Sequence, residues 1–264
     1  MTGKLVKYDL QANLKKFMIV YVSFLGAALL LLISVWFGVI STSVNNQLIS
    51  VLLAFGIVLM YALALLAVNV LGLVFIGLRF RNCHIGCMRD HYMTVPASAE
   101  QRLGASVASG VIWLVISYLV VNVSSMPVMY MLVDYLQYVG ASFGDIISIT
   151  VSGLPSGIVA AIAYAVYTVA SLACNINVLY LAICIGYSTR SSHIFISVAV
   201  YIGIEIAISL AGSILSIPLS SVIYGAGLSA YYDIIWYIAA AAMFAAASAV
   251  LFLLTRNFLR NTYS

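Results

Sequence analysis

Charge is the scarcest thing in this sequence. Only 7% of the 264 residues are charged and 65% are hydrophobic, whereas a soluble domain carries about a quarter charged residues. That scarcity excludes a soluble globular protein and sets the class as integral membrane. Polar stretches are short as well. None exceeds the run from Arg79 to Arg102, so there is no room for a separate soluble domain, and residues 1–264 read as one transmembrane domain. The four cysteines, Cys83, Cys87, Cys174 and Cys184, all fall outside the segments assigned to the far side of the membrane, which excludes a disulfide framework. A cleavable leader is not expected, because the apolar run Phe17–Ile40 is too long for a signal core and lacks a small-x-small site.

Chemistry is lacking in the same way. No phosphate-cradling Walker loop occurs. No Ser/His/Asp set or carboxylate pair is placed for catalysis. The chain is therefore not expected to be an enzyme, to hold a cofactor or to hydrolyse ATP. Any energy it uses comes from a partner or a gradient. No repeat or low-complexity segment stands out, and an inverted pairing of the first and fourth spans fails on their lengths and flanks.

What is present is six apolar runs. A spanning helix needs ~20 apolar residues, and Phe17–Ile40, Leu48–Leu78, Leu103–Val123, Ser156–Tyr187, Ile194–Ile217 and Tyr232–Leu254 each qualify. The expected fold is an all-α bundle of six transmembrane helices. The second and fourth runs are longer than the ~30 Å hydrocarbon core requires, so they tilt or project beyond it. Ahead of the first run, Val6, Leu10, Leu14 and Phe17 recur at helical spacing among Lys4, Lys7, Lys15 and Lys16. This predicts an amphipathic helix lying in the headgroup layer.

The eleven basic residues sort to one side of these spans. Lys4, Lys7, Lys15 and Lys16 lie in the N-terminal segment, and Arg79, Arg81, Arg89 and Arg102 in the central loop. Arg190 lies between the fourth and fifth spans, and Arg256 and Arg260 in the tail. By the positive-inside rule that side is cytoplasmic and both termini lie inside. The net charge of +4 is then a topology signal facing a lipid bilayer, and no nucleic-acid partner is expected. The far-side segment Ser124–Pro155 is rich in tyrosine, and its end, residues 145–155, is either re-entrant or an early start of the fourth span. Residues 218–231 are short enough to dip into the membrane.

One full charge interrupts the spans, Glu205 in the fifth. An ionisable group there costs roughly 3 kcal/mol to insert on translocon scales. It either lines a translocation path and responds to protons, or makes an interhelical hydrogen bond. Asn69, Asn122, Asn175 and Asn177 are its candidate partners, and Asn69, Asn175 and Asn177 join it as candidate path-lining groups. In the central loop Cys83, His84, Cys87 and His91 are the candidate metal set, and Cys83, Cys87 and His91, spaced by four, would share one face of a helix. The adjoining basic residues and the absence of a close C-x-x-C pair argue against a metal site and for a protein contact.

The segment Asp90-His91-Tyr92-Met93-Thr94-Val95-Pro96-Ala97-Ser98 resembles the D-x-Y-x-x-T-L-P-V-S stretch of bacterial type-2 ABC export permeases. Its Tyr–Thr spacing is one residue tighter, and Val95 and Ala97 stand for Leu and Val. Tyr180–Gly186 followed by His193, Lys4–Leu10 and Leu254–Arg260 are similar to other parts of the same permeases. The resemblance implies a coupling helix between spans two and three that docks on a separate cytoplasmic ABC ATPase subunit, which binds the ATP and magnesium. It implies that His84, Arg89, Asp90, Tyr92, Thr94, Pro96 and Ser98 form that docking segment. It implies a second permease chain, identical or a sister, meeting the first through first- and fifth-span surfaces, and a place in the bacterial cytoplasmic membrane. Pro96 marks a break, and Ser98 with Gln101 forms a capping box for the third span.

The expected function is the membrane-spanning subunit of an ATP-driven exporter of an amphipathic peptide, lipid-like molecule or drug. The alternatives are a proton-coupled secondary transporter using Glu205, and a non-transporting membrane anchor or sensor.

Overall fold

The computed structural model of the chain describes residues 2–41, 47–86, 97–138, 158–188, 193–225 and 231–263. Among them lie six helices and no strand: α1 (Thr2–Ser41), α2 (Gln47–His84), α3 (Ala99–Tyr138), α4 (Ile158–Ser188), α5 (His193–Gly225) and α6 (Tyr232–Tyr263). Each holds a stretch long and apolar enough to cross a membrane, from 22 residues in His193–Ile214 to 31 in Ile158–Ser188. Helix is the only backbone form besides a closed barrel that satisfies its own hydrogen bonds in lipid, and the chain is a multi-pass membrane protein by that reasoning.

Helix ends differ from the apolar runs where burial continues past the last apolar residue. α1 begins at Thr2 and runs unbroken into the first span. Its inward face is Leu5, Asp9, Asn13 and Phe17, so of the predicted stripe Val6, Leu10, Leu14 and Phe17 only Phe17 is buried, Val6 and Leu10 being part-buried and Leu14 half exposed. α2 continues past Leu78 because Phe80, Cys83 and His84 are buried. α6 continues past Leu254 because Thr255 and Leu259 are buried. α5 carries Pro218 inside its last turns instead of ending at Ile217. A proline there forfeits one ladder hydrogen bond, and Ser221 donates its hydroxyl back to the Pro218 carbonyl (2.8 Å). The segment 145–155 lies outside the described residues, as do 226–230 of the stretch expected to dip into the membrane.

The chain divides into two compact units. The first comprises Met1–Gln11, Ile76–Ile112 and Pro155–Ser264. Its core joins Cys174, Val178 and Leu181 of α4 to Leu251 of α6, with Tyr201, Ile204 and Ile208 of α5 packed against them. Gly110 lets α3 approach closely: a Cβ there would sit 3.0 Å from Ile176 Cδ1 and 3.3 Å from Ile76 Cγ2. The second unit comprises Ala12–Phe75 and Trp113–Leu154. Phe17 and Trp113 stack at 4.4 Å with 7° between planes. Beside them the Tyr21 and Ser117 hydroxyls share a 2.7 Å hydrogen bond.

Candidate functional site

The polar run between α2 and α3 is held at both of its ends by the first unit. At the α2 end, Arg79 Nη2 donates to Asp9 Oδ1 at 3.1 Å, and the two side chains are 15% and 3% exposed. The Tyr8 ring lies 5.4 Å beneath the guanidinium. Asp9 Oδ2 accepts from the Ser106 hydroxyl at 3.5 Å. The Ser106 carbonyl accepts from the Tyr180 hydroxyl at 3.1 Å and from the Ser109 hydroxyl at 3.0 Å. One acid thus ties together the start of α1, the end of α2 and the first turns of α3, and Tyr180 adds α4. A buried charge is tolerable only when it is paired and its remaining lone pairs are used, and Asp9 meets both conditions.

A column of rings continues from Tyr180. Phe80 stacks on it at 3.9 Å and 10°, and His84 stacks on Phe80 at 4.5 Å and 24°. His84 Nδ1 lies 3.2 Å from the Phe80 carbonyl oxygen. One turn away, Arg81 covers the Tyr187 ring at 5.1 Å, and Tyr187 stacks on His193 at 5.1 Å and 6°. α4 comes close to the first turn of α5 at Gly186, where a Cβ would fall 2.7 Å from the His193 carbonyl oxygen.

At the α3 end, Ser98 and Gln101 form the reciprocal cap that the spacing implied. The Gln101 amide donates to Ser98 Oγ, and the Ser98 amide donates to Gln101 Oε1, both at 3.2 Å. Glu100, beside the cap, accepts from Arg256 of α6 at 3.2 Å. Both partners are substantially exposed, so this pair contributes little stability in isolation, but it does fix where the α6 tail meets α3.

Of the expected docking residues, Arg89, Asp90, Tyr92, Thr94 and Pro96 lie outside the described residues, as do Cys87 and His91 of the cysteine–histidine set. Ser98 caps α3. His84 is 4% exposed, so its ring packs inward and does not form the surface contact expected of it. The reason is the extra helical turn after Leu78, which carries His84 onto the buried side of α2. Cys83, Cys174 and Cys184 are buried free thiols.

The residues expected to gather at Glu205 are dispersed. Asn69 and Asn122 are exposed and donate to their own helices, to the Leu65 carbonyl (2.9 Å) and the Tyr118 carbonyl (2.7 Å). Asn177 donates to the Ala173 carbonyl and to Ser248 Oγ of α6. Only Asn175 reaches α5, accepting from the Tyr201 hydroxyl at 3.2 Å one turn from Glu205. Among the described residues Glu205 itself has neither an ion pair nor a hydrogen bond. Periodicity alone does not say which way an asparagine turns: Asn69, Asn122 and Asn177 turn to the carbonyl one turn back, and Asn175 to the Tyr201 hydroxyl. Asp9 is the residue that sequence reasoning passed over. Its signal was a lone acid among four lysines, one turn below a recurring buried position.

α6 carries markers of both membrane edges. Trp236 and Tyr237 pack with Tyr164 and Tyr167 of α4 near one end, with ring centroids 5.2–6.2 Å apart. Aromatic residues of this kind favour the interface. The first cation beyond them is Arg256, ~30 Å further along the helix at ~1.5 Å per residue, matching the hydrocarbon thickness.

Compared with known proteins, the chain matches no family model, no curated protein and no solved structure.

Proposed function

We propose that the chain is the membrane-spanning subunit of an ATP-driven exporter, coupled through residues 87–96 to a separate cytoplasmic ATPase and working as a pair of permease chains. One observation carries the reading: that polar segment is anchored at both ends. Its α2 end is gripped by Asp9–Arg79 and the Tyr180–Phe80–His84 column, and its α3 end by the Ser98 cap and the Glu100–Arg256 pair. A load applied between these anchors passes to α1, α2, α3, α4 and α6, which is the mechanical requirement of a coupling segment.

The outward face of α1 supports the assigned side. Lys4, Lys7, Tyr8 and Lys15 are exposed along it, followed on the same face by Met18, Val22, Leu25 and Leu29. That change, near residue 16, suits a helix leaving the headgroup layer for hydrocarbon, with its basic end at the cytoplasmic side of the bacterial membrane. The partner ATPase binds the ATP and magnesium. The sparse polar groups of the spans suit an amphipathic cargo.

The test is affinity purification in mild detergent from membranes of the native host. The expected result is co-purification of a Walker-type ATPase, lost on charge reversal at Arg89 and Asp90. If no ATPase co-purifies and charge reversal leaves function intact, the exporter reading fails.

A further inference from the structure

α1 carries one unbroken exposed stripe. Lys4, Lys7, Gln11 and Lys15 lie on it, and Met18, Val22, Leu25 and Leu29 continue it. The steps are of three and four residues throughout, so these side chains share one face of a single continuous helix. The chemistry of the stripe changes once, between Lys15 and Met18.

Its lysine half carries no opposing charge. Asp9 is the one acid that precedes Asp90 in the sequence. It is buried on the opposite side of α1 and bound to Arg79 at 3.1 Å. Among the described residues Lys4, Lys7 and Lys15 form no ion pair; the pairs formed there are Asp9–Arg79 and Glu100–Arg256. Pairing Asp9 with Arg79 thus takes the local acid off the surface and leaves the outward face of α1 purely cationic. Lys16 stands apart from this face, with its ammonium 5.9 Å from the Phe75 ring.

The apolar half identifies what lies against the lysines. At ~1.5 Å per residue, Met18 to Leu29 rises ~17 Å, about half of the ~30 Å hydrocarbon core and so the reach of one leaflet's acyl chains. A lipid lying along this half brings its headgroup to Lys15. Helical side chains lean toward the N-terminus, so Lys15 extends over the turn of Gln11, with its stem along the acyl boundary and its ammonium among the headgroups. Gln11 offers an amide donor at that level, and Lys7 follows one turn further on. A soluble acidic protein would satisfy the lysines and leave the apolar half bare.

We infer that the outward stripe of α1 is a binding site for an anionic phospholipid. The headgroup phosphate rests on Lys15, Gln11 and Lys7, Lys4 adds to the attraction, and the tails run along Met18 to Leu29. A zwitterionic headgroup brings a cation that the lysines repel, so the site selects lipids of net negative charge. The inference goes beyond the exporter reading and requires only that the chain spans a bilayer.

The test uses the full chain purified in mild detergent. It is given equal amounts of dioleoyl phosphatidylglycerol and dioleoyl phosphatidylcholine at low ionic strength, and the retained lipids are counted by native mass spectrometry. The wild type is expected to retain phosphatidylglycerol in preference. A lysine beside anionic lipid is worth about fivefold in binding, so Lys7→Gln and Lys15→Gln are each expected to lower the preference by about that factor. Replacing Lys4, Lys7 and Lys15 together by Gln is expected to abolish it, and replacing them by Arg to preserve it. Arg260→Gln, which removes an exposed cation from α6, is expected to leave it unchanged. Three results overturn the inference: equal retention of the two lipids by the wild type, an unchanged preference in the triple Gln variant, or an equal loss in Arg260→Gln, which would assign the preference to overall charge. Carbodiimide coupling of Lys7 or Lys15 to a protein carboxylate in native membranes would assign the face to an acidic protein and overturn it too. None of these readouts involves ATP, so failure here is distinct from failure of the exporter reading.

Discussion

Asp9 and Arg79 meet at 3.1 Å, with side chains 3% and 15% exposed, although 70 residues separate them in sequence. The pair fastens the start of α1 to the end of α2 directly beneath the central polar segment. Removing one member of a buried pair leaves the other charge uncompensated, at a cost of about 3–5 kcal/mol. Asp9→Asn and Arg79→Gln are each expected to lower unfolding stability in detergent by that order. The double replacement Asp9→Leu with Arg79→Met is expected to recover most of it, since an apolar pair of similar volume is often neutral. Single variants as stable as the wild type would falsify the claim that the pair is a structural anchor.

Gly186 is expected to resist any side chain. A Cβ there would lie 2.7 Å from the His193 carbonyl oxygen and collide with Ser197, and forcing an extra methyl into a packed crossing costs about 1–3 kcal/mol. Gly104 is the control, because a Cβ there meets nothing within 4 Å. Gly104→Ala is expected to be neutral or stabilising by up to about 1 kcal/mol from helix propensity alone. Melting curves for the two variants should move apart; curves that move together would mean that α4 and α5 are not in close contact at Gly186.

Ser98→Ala is expected to cost about 1 kcal/mol, the usual value of an N-cap. The loss should appear as faster hydrogen exchange at the Gln101 amide, which donates to Ser98 Oγ. Exchange further along α3 should be unchanged. Equal protection in the variant would show that the cap does not set the start of α3.

Glu205→Gln separates the exporter from its proton-coupled rival. The substitution keeps the shape and removes the charge, and Glu205 has no ion pair among the described residues that the change would break. An exporter driven by its partner's ATP is expected to retain transport in the variant, with an unaltered pH profile. Loss of transport, together with loss of its dependence on a proton gradient, would transfer the function to the rival reading.

Much of the architecture was legible in the chain. Six apolar runs gave six helices, and each predicted run overlaps one of them, because in lipid the backbone has no other open-ended way to satisfy its hydrogen bonds. The cap at Ser98 and Gln101 was legible for a similar reason: its chemistry is local and spans three residues. Helix ends were less legible. α2 and α6 overrun their apolar stretches because Phe80, His84, Thr255 and Leu259 find cover from other helices, and no local pattern encodes that cover.

The candidate site divides along the same line. Composition and the sorting of Lys and Arg were enough to mark a multi-pass membrane protein and to single out the Arg79–Arg102 run, since apolar length and the placement of charge are properties of the chain itself. Only the tertiary structure decided that Asp9 is the acid under that run, that His84 turns inward, and that the asparagines do not converge on Glu205. Those outcomes depend on which helices lie side by side. A side chain of fixed spacing still has several carbonyls and charges within reach, and packing selects among them.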